Sequence, residues 1–230
     1  MKEAFIVSIE TQSPSTKLLR IKTNGPFSEK DKEGLFFNPG QSIMIKAWGY
    51  GKKIFPIASS PYEGRFLEIF TKRGDRFSET INSFSNTEPL LIDDIKNKGF
   101  PIKDIENKDI LIITDSFGIA AAHSFLPHLS KNKKLFGKTA IIYNIEEESE
   151  ILYKNELQEI KEKFNFIINS NSSNTAFNEK IEYNPLKTKT LLCVSENKIQ
   201  YVLKTYIKPL GISYRDVFIW SNGKTNKLIN

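Results

Sequence analysis

A single cysteine, Cys193, stands in 230 residues. It rules out an internal disulfide and any iron–sulfur cluster held by four thiolates of this chain alone. No stretch approaches the roughly 20 apolar residues of a membrane span, and the opening MKEAFIVSIE has an acid at position 3 and too short an apolar run for a secretory leader. The expected location is therefore the cytoplasm, with no membrane span. Histidine is almost as scarce. His123 and His128 lie five apart on one expected helix, hence on different faces, which argues against a shared metal site. A Walker phosphate loop and the serine or cysteine motifs of hydrolases are also missing.

What remains is an ordinary globular composition, 39% apolar and 26% charged, in a chain long enough for two compact cores. The net charge of +6 favours acidic partners. The lysines occur in pairs and triplets mixed with acids, as Lys131, Lys133 and Lys134 do, and the aromatics sit inside apolar strands. That pattern describes a solvated surface and no nucleic-acid stripe.

The texture of the chain changes near residue 100. Before it, short alternating runs (FIVSIE, LLRIKT, SIMIKA, FPIASS, FLEIFTK, LLIDDI) are punctuated by Gly, Pro, Asn and Ser, which predicts an antiparallel β-barrel or sandwich. Lys98-Gly99-Phe100-Pro101 reads as the linker. Afterwards, apolar strands at 109–114, 139–145, 164–169, 190–195 and 216–221 alternate with expected helices at 118–131, 149–163 and 198–210. This is the signature of a doubly wound α/β domain with a parallel sheet covered on both faces. The expected domains are 1–103 and 104–230, with residues 169–174 (NSNSSN) as a polar loop.

Two blocks carry the chemistry. Phe37 to Gln41 (FNPGQ) is a turn feeding the strand SIMIK, and Lys52 to Pro61 (KKIFPIASSP) follows as its neighbour. With their spacing, these blocks resemble the ferredoxin-NADP reductase superfamily, whose FAD-binding barrel carries PGQ on one strand and Arg-x-Tyr-Ser/Thr ending in a Ser-Ser-Pro-like turn on the next. The resemblance covers essentially the whole chain and implies the same order of domains. It places Lys53 at the arginine, Phe55 at the tyrosine and Pro56 at the hydroxyl residue. Lys53 keeps a cation for a diphosphate without the bidentate fork of arginine. Phe55 keeps a flat face for the isoalloxazine without the phenol, and Pro56 supplies neither hydroxyl nor N–H beside flavin N5. Ile57, Ala58, Ser59 and Ser60 match the rest of the motif.

A second phosphate contact is implied for Lys72 to Ile81 (KRGDRFSETI), through Gly74 and Ser78 at a helix start, with one more residue than the common spacing. For NAD(P)H the resemblance implies a Gly-Gly-x-Gly-Ile-Ala-Pro turn, and here the chain reads Thr114-Asp115-Ser116-Phe117-Gly118-Ile119-Ala120-Ala121. Gly118 is retained. Asp115 and Ser116 put side chains and a negative charge where a diphosphate would lie, or else act as a helix cap. Cys193 falls where family members carry a cysteine near the nicotinamide, although a buried cysteine in a strand is packing more often than chemistry. The glutamates 146–148 would favour NADH over NADPH. The resemblance thus implies an FAD-dependent oxidoreductase passing electrons between NAD(P)H and a flavin or a protein acceptor. A different class remains open: a partner-fed or non-catalytic assembly subunit that keeps the fold but no longer binds NAD(P)H.

Overall fold

A computed structural model describes residues 1–23, 37–62, 66–96, 98–170, 183–221 and 224–228. The expected polar loop lies outside the described residues from position 171 onward.

The first half is a six-stranded antiparallel sheet: β1 (Lys2–Thr11), β2 (Thr16–Thr23), β3 (Ser42–Ala47), β4 (Gly51–Pro56), β5 (Leu67–Lys72) and β6 (Leu90–Lys96). The spatial order is β4-β3-β6-β1-β2-β5. Alternation sends one side of each strand inward, so Ile6, Leu19, Ile21, Ile43, Ile45, Phe55, Ile69 and Ile92 share one core. A helix, α1 (Arg76–Asn82), adds Ile81 to it.

The run FPIASS is expected as one strand, but β4 ends at Pro56. The residues after it cross the seam of the sheet. Ile57 N donates to Gln41 O at 3.0 Å, Ala58 N donates to Glu68 O at 2.7 Å, and Glu68 N donates to Ser59 Oγ at 3.1 Å. Both edge strands are tied together there, giving the near-closed, barrel-like form that the alternation predicts.

After a short helix, α2 (Ile102–Ile105), the second half forms a parallel sheet of β7 (Asp109–Asp115), β8 (Thr139–Ile145), β9 (Asn165–Ser170), β10 (Thr188–Cys193) and β11 (Val217–Ser221). Its edge carries the antiparallel β12 (Lys224–Lys227), and the order is β12-β11-β10-β7-β8-β9. Ile110, Ile112, Leu191 and Cys193 face α3 (Ile119–Lys131) and Ile160 of α4 (Leu157–Lys163). Leu111, Ile113, Leu192 and Val194 face the opposite layer, built from α5 (Ile199–Val202) and the turns after it. Both faces are covered, as the unbroken apolar runs require.

Two helices are shorter than expected. The stretch 149–163 is helical only over α4, because Leu152 and Tyr153 turn down into the protein, Tyr153 with φ of 58°. The stretch 198–210 begins as α5 and continues as a π-helical segment, Leu203–Ile207. That wider turn buries Leu203, Tyr206 and Ile207 against the sheet.

The two halves are clamped through the FNPGQ turn. Gly40, with φ of 78°, donates its N–H to Ser124 Oγ at 2.9 Å, and its carbonyl accepts from Trp220 Nε1 at 2.7 Å. A side chain there would run into the Phe100 ring, 2.8 Å from the position of a β-carbon.

Candidate functional site

Lys53 shares the inner face of β4 with Phe55, its Nζ 5.3 Å from the Phe55 ring centroid, and reaches the start of α1 at the rim of the core. Its Nζ lies 2.7 Å from Asp75 Oδ2, and Asp75 also accepts from Ser78 N at 2.8 Å as the cap of α1. Burial pushes the Asp75 carboxyl up, but the bonds from Lys53 and Ser78 outweigh it and hold it below the usual range. Gly74 precedes this cap with φ of 82° and open space around it. The Ser78 hydroxyl is fully buried beside Asp75 and makes no hydrogen bond of good geometry. The structure therefore gathers Lys53, Gly74 and Ser78 around one turn. The Lys53 ammonium is paired with Asp75, the Gly74 N–H donates to Glu79 Oε1 at 2.9 Å, and a phosphate arriving at this turn would exchange with those carboxylates.

The ring end is arranged differently from the expectation. Phe55 is 2% exposed and belongs to the barrel core, with its ring centroid 6.1 Å from that of Phe77. Strand alternation is the reason: Phe55 points inward, so Ile54, 45% exposed, and half-buried Pro56 form the outer surface. Ile57, Ala58, Ser59 and Ser60 are all buried. Their polar groups serve the barrel seam, the second domain and, at Ser60, the local turn, where Oγ accepts from Tyr62 N at 3.3 Å.

That second-domain contact centres on His123. Its Nδ1 lies 3.1 Å from Ala58 O and its Nε2 2.8 Å from Glu156 Oε2, while the ring stacks on Tyr153 at 3.8 Å. The His123 bond holds the Glu156 carboxyl below its usual range against the opposing effect of burial. From the sequence alone His123 is only half of an unsuitable metal pair. Nothing in the order of residues signals that α3 lies against the IASS segment after β4. Among the described residues no cluster of His, Cys, Asp and Glu suited to a metal ion is present.

The remaining site residues meet at the carboxyl ends of β7 and β10, the switch point of the sheet where this architecture places ligands. A β-carbon on Gly118 would lie 1.8 Å from the Cys193 carbonyl oxygen and 2.3 Å from its carbon. Close packing of two backbones explains the glycine. Asp115, 3% exposed, uses both oxygens: Oδ1 accepts from Phe117 N and Gly118 N at 2.9 and 3.0 Å, and Oδ2 accepts from Ser195 N and Oγ at 3.1 and 2.9 Å. The Phe117, Gly118 and Ser195 donors that border the crevice are thereby taken. A diphosphate of NAD(P)H at this turn would have to compete with Asp115 for those donors.

Cys193 is fully buried, and burial, with Asp115 adding to it, pushes its thiol far above the ordinary value. The native protein is expected to resist a thiol reagent such as dithiobis(nitrobenzoate) at pH 8 and to release one equivalent of thiolate in denaturant. Rapid labelling of the folded chain would contradict this burial.

Two clefts open at this end of the sheet. One, of about 390 Å³, is lined by Asn144, Asn169, Tyr206 and Lys198 among others. Tyr206 Oη donates to Asn144 Oδ1 at 2.6 Å and accepts from Asn169 Nδ2 at 2.8 Å. The other, of about 510 Å³, reaches Ser15 and Lys72 of the barrel.

No family model matches the chain. Among curated proteins it is similar to the Sulfhydrogenase 1 subunit gamma of Pyrococcus furiosus, 25% identical over 126 residues, which are 55% of this chain and 43% of that protein. The chain spans about half the length of the curated relatives it matches. Among solved structures, a ferredoxin NADP+ reductase from Neisseria gonorrhoeae with bound FAD and NADP superimposes with a TM-score of 0.77 at 16% identity, covering 96% of this chain and 98% of that one. The flavohem-like FAD/NAD-binding domain of nitric oxide dioxygenase from Vibrio cholerae gives 0.76 at 14%, over 96% and 98%. A near-closed antiparallel barrel followed by a doubly wound sheet is thus a fold this chain shares with these FAD- and NAD-binding structures.

Proposed function

We propose that this chain is an FAD-dependent oxidoreductase that exchanges electrons with a protein partner. The observation that carries the reading is the turn at the start of α1, where Lys53, Gly74 and Ser78 converge. Lys53 and the Gly74–Ser78 turn hold the phosphates, and the outer surface of Pro56 borders the ring. Bound FAD supplies the redox chemistry, while the protein supplies placement and exclusion of water. The gamma-subunit relatives support a role within a larger redox assembly. An exposed hairpin supports it independently: Trp48 and Tyr50 at the β3–β4 tip are 75% and 61% exposed, with Lys46 Nζ 5.1 Å from the Trp48 ring. Aromatic and basic groups of this kind favour docking to another protein.

The test is the visible spectrum after incubation with FAD and desalting. A retained flavin band is the expected result, and a colourless protein would sink the reading. Replacing Lys53 with Glu sets two carboxylates side by side at Asp75 and is expected to weaken FAD retention at least about tenfold. Lys53→Met removes the charge without the repulsion and separates loss of the phosphate contact from strain. Unchanged flavin content in both variants, with unchanged melting, would remove Lys53 from the site.

A further inference from the structure

We propose that Asp115 is the specificity determinant of the α/β domain: its carboxylate is a resident anion in the position of a dinucleotide's diphosphate, and it turns pyridine nucleotides away. An N-terminal helix turn that follows a parallel strand attracts phosphate because its N–H groups are unpaired and its dipole is positive. Here Phe117 N and Gly118 N at the start of α3 are already paired with Asp115 Oδ1. Across the switch point, the Ser195 N–H and hydroxyl are paired with Oδ2. One buried side chain therefore takes two donors of the turn after β7 and both donors of Ser195 after β10.

The nearby cation is engaged as well. Lys198 Nζ lies 2.8 Å from Glu146 and 4.0 Å from Asp115. In the larger cleft Asp115, Glu146, Glu147 and Glu150 face only Lys72 and Lys198, so the lining is net negative before any ligand arrives. A diphosphate would have to displace Asp115 from its bonds and then sit beside these carboxylates with Lys72 alone of the two lining cations left to offset them. Gly118 cannot relieve this by giving more room, since the space beside it is filled by the Cys193 carbonyl.

This goes beyond the proposed function and stands without it, because the closure involves no flavin contact. Where both hold, electrons reach the flavin from a reduced protein partner. The experiment is calorimetric titration of ADP-ribose, NADH and NADPH into the full chain, with and without saturating FAD. Wild-type protein is expected to show no saturable binding in the millimolar range. Asp115→Ser keeps a short capping oxygen and removes the charge, and is expected to bind ADP-ribose at least tenfold more tightly than wild type does. Asp115→Asn, neutral and nearly isosteric, serves the same comparison if the serine variant does not fold. Saturable micromolar binding by the wild type would overturn the proposal, and so would a folded neutral variant that gains nothing. A missing flavin band in the spectral test would sink the flavoprotein reading and leave this result standing.

Discussion

Gly118→Ala is expected to cost at least about 3 kcal/mol of stability, enough to lower the melting temperature by many degrees or prevent folding. The new methyl carbon would sit 1.8 Å from the Cys193 carbonyl oxygen and 2.3 Å from its carbon. Both are backbone atoms of a central strand, held between β7 and β11, so neither can move without breaking a ladder. The φ of Gly118 is −89°, which any residue adopts, and the penalty is therefore steric. Gly74→Ala supplies the contrast. Its φ of 82° strains a side chain, but the surrounding space is open, and the expected cost is about 1–2 kcal/mol. Chemical denaturation of both variants checks the difference. A Gly118→Ala protein as stable as the Gly74→Ala one would show that β10 does not press on the turn as described. It would restore the reading of Gly118 as room left for a ligand.

Trp220→Ala is expected to cost about 3–5 kcal/mol, since the indole is fully buried in the larger α/β core. The same side chain reaches the other domain through its 2.7 Å bond to the Gly40 carbonyl. Trp220→Phe separates the two roles. It keeps most of the apolar contact and leaves that carbonyl without its donor, for an expected loss of about 1–3 kcal/mol. If Gly40 is the clamp, the phenylalanine variant should also loosen the domains, seen as faster amide exchange at Gly40 and Ser124 with the sheet interiors unchanged. Equal exchange in the two proteins would assign Trp220 to packing alone.

The fold was legible because both halves are written in local pattern. Period-two alternation through SIMIKA and LEIFTK can bury only one face, which forces an antiparallel sheet with a single inner side. Unbroken runs such as ILIIT and TLLCV need cover on both faces, which forces helices onto a parallel sheet. Helix ends were less legible. The break at Tyr153 exists because Leu152 and Tyr153 find burial in a third, smaller cluster with Ile119, Tyr143 and Ile145, and that reward is tertiary.

The site divides in the same way. Lys53, Gly74 and Ser78 follow from the motif and are gathered at one turn. Phe55 has the residue type for stacking, yet its position on β4 points it into the core. Asp115 shows the sharpest division. Its sequence marks it either as a cap or as an intruder at a phosphate turn, and the structure adds a second oxygen bound to Ser195, 80 positions away.

The order and character of the residues alone determined the two domains, their strand periodicities and the single buried thiol, because each depends on side chains within one turn or strand of one another. Only the tertiary structure decided that FNPGQ clamps the domains, that IASS closes the barrel, that His123 joins it to Glu156, and that Asp115 fills the switch point. Each of these rests on polar groups far apart in sequence whose hydrogen-bonding needs are met only once the chain has packed.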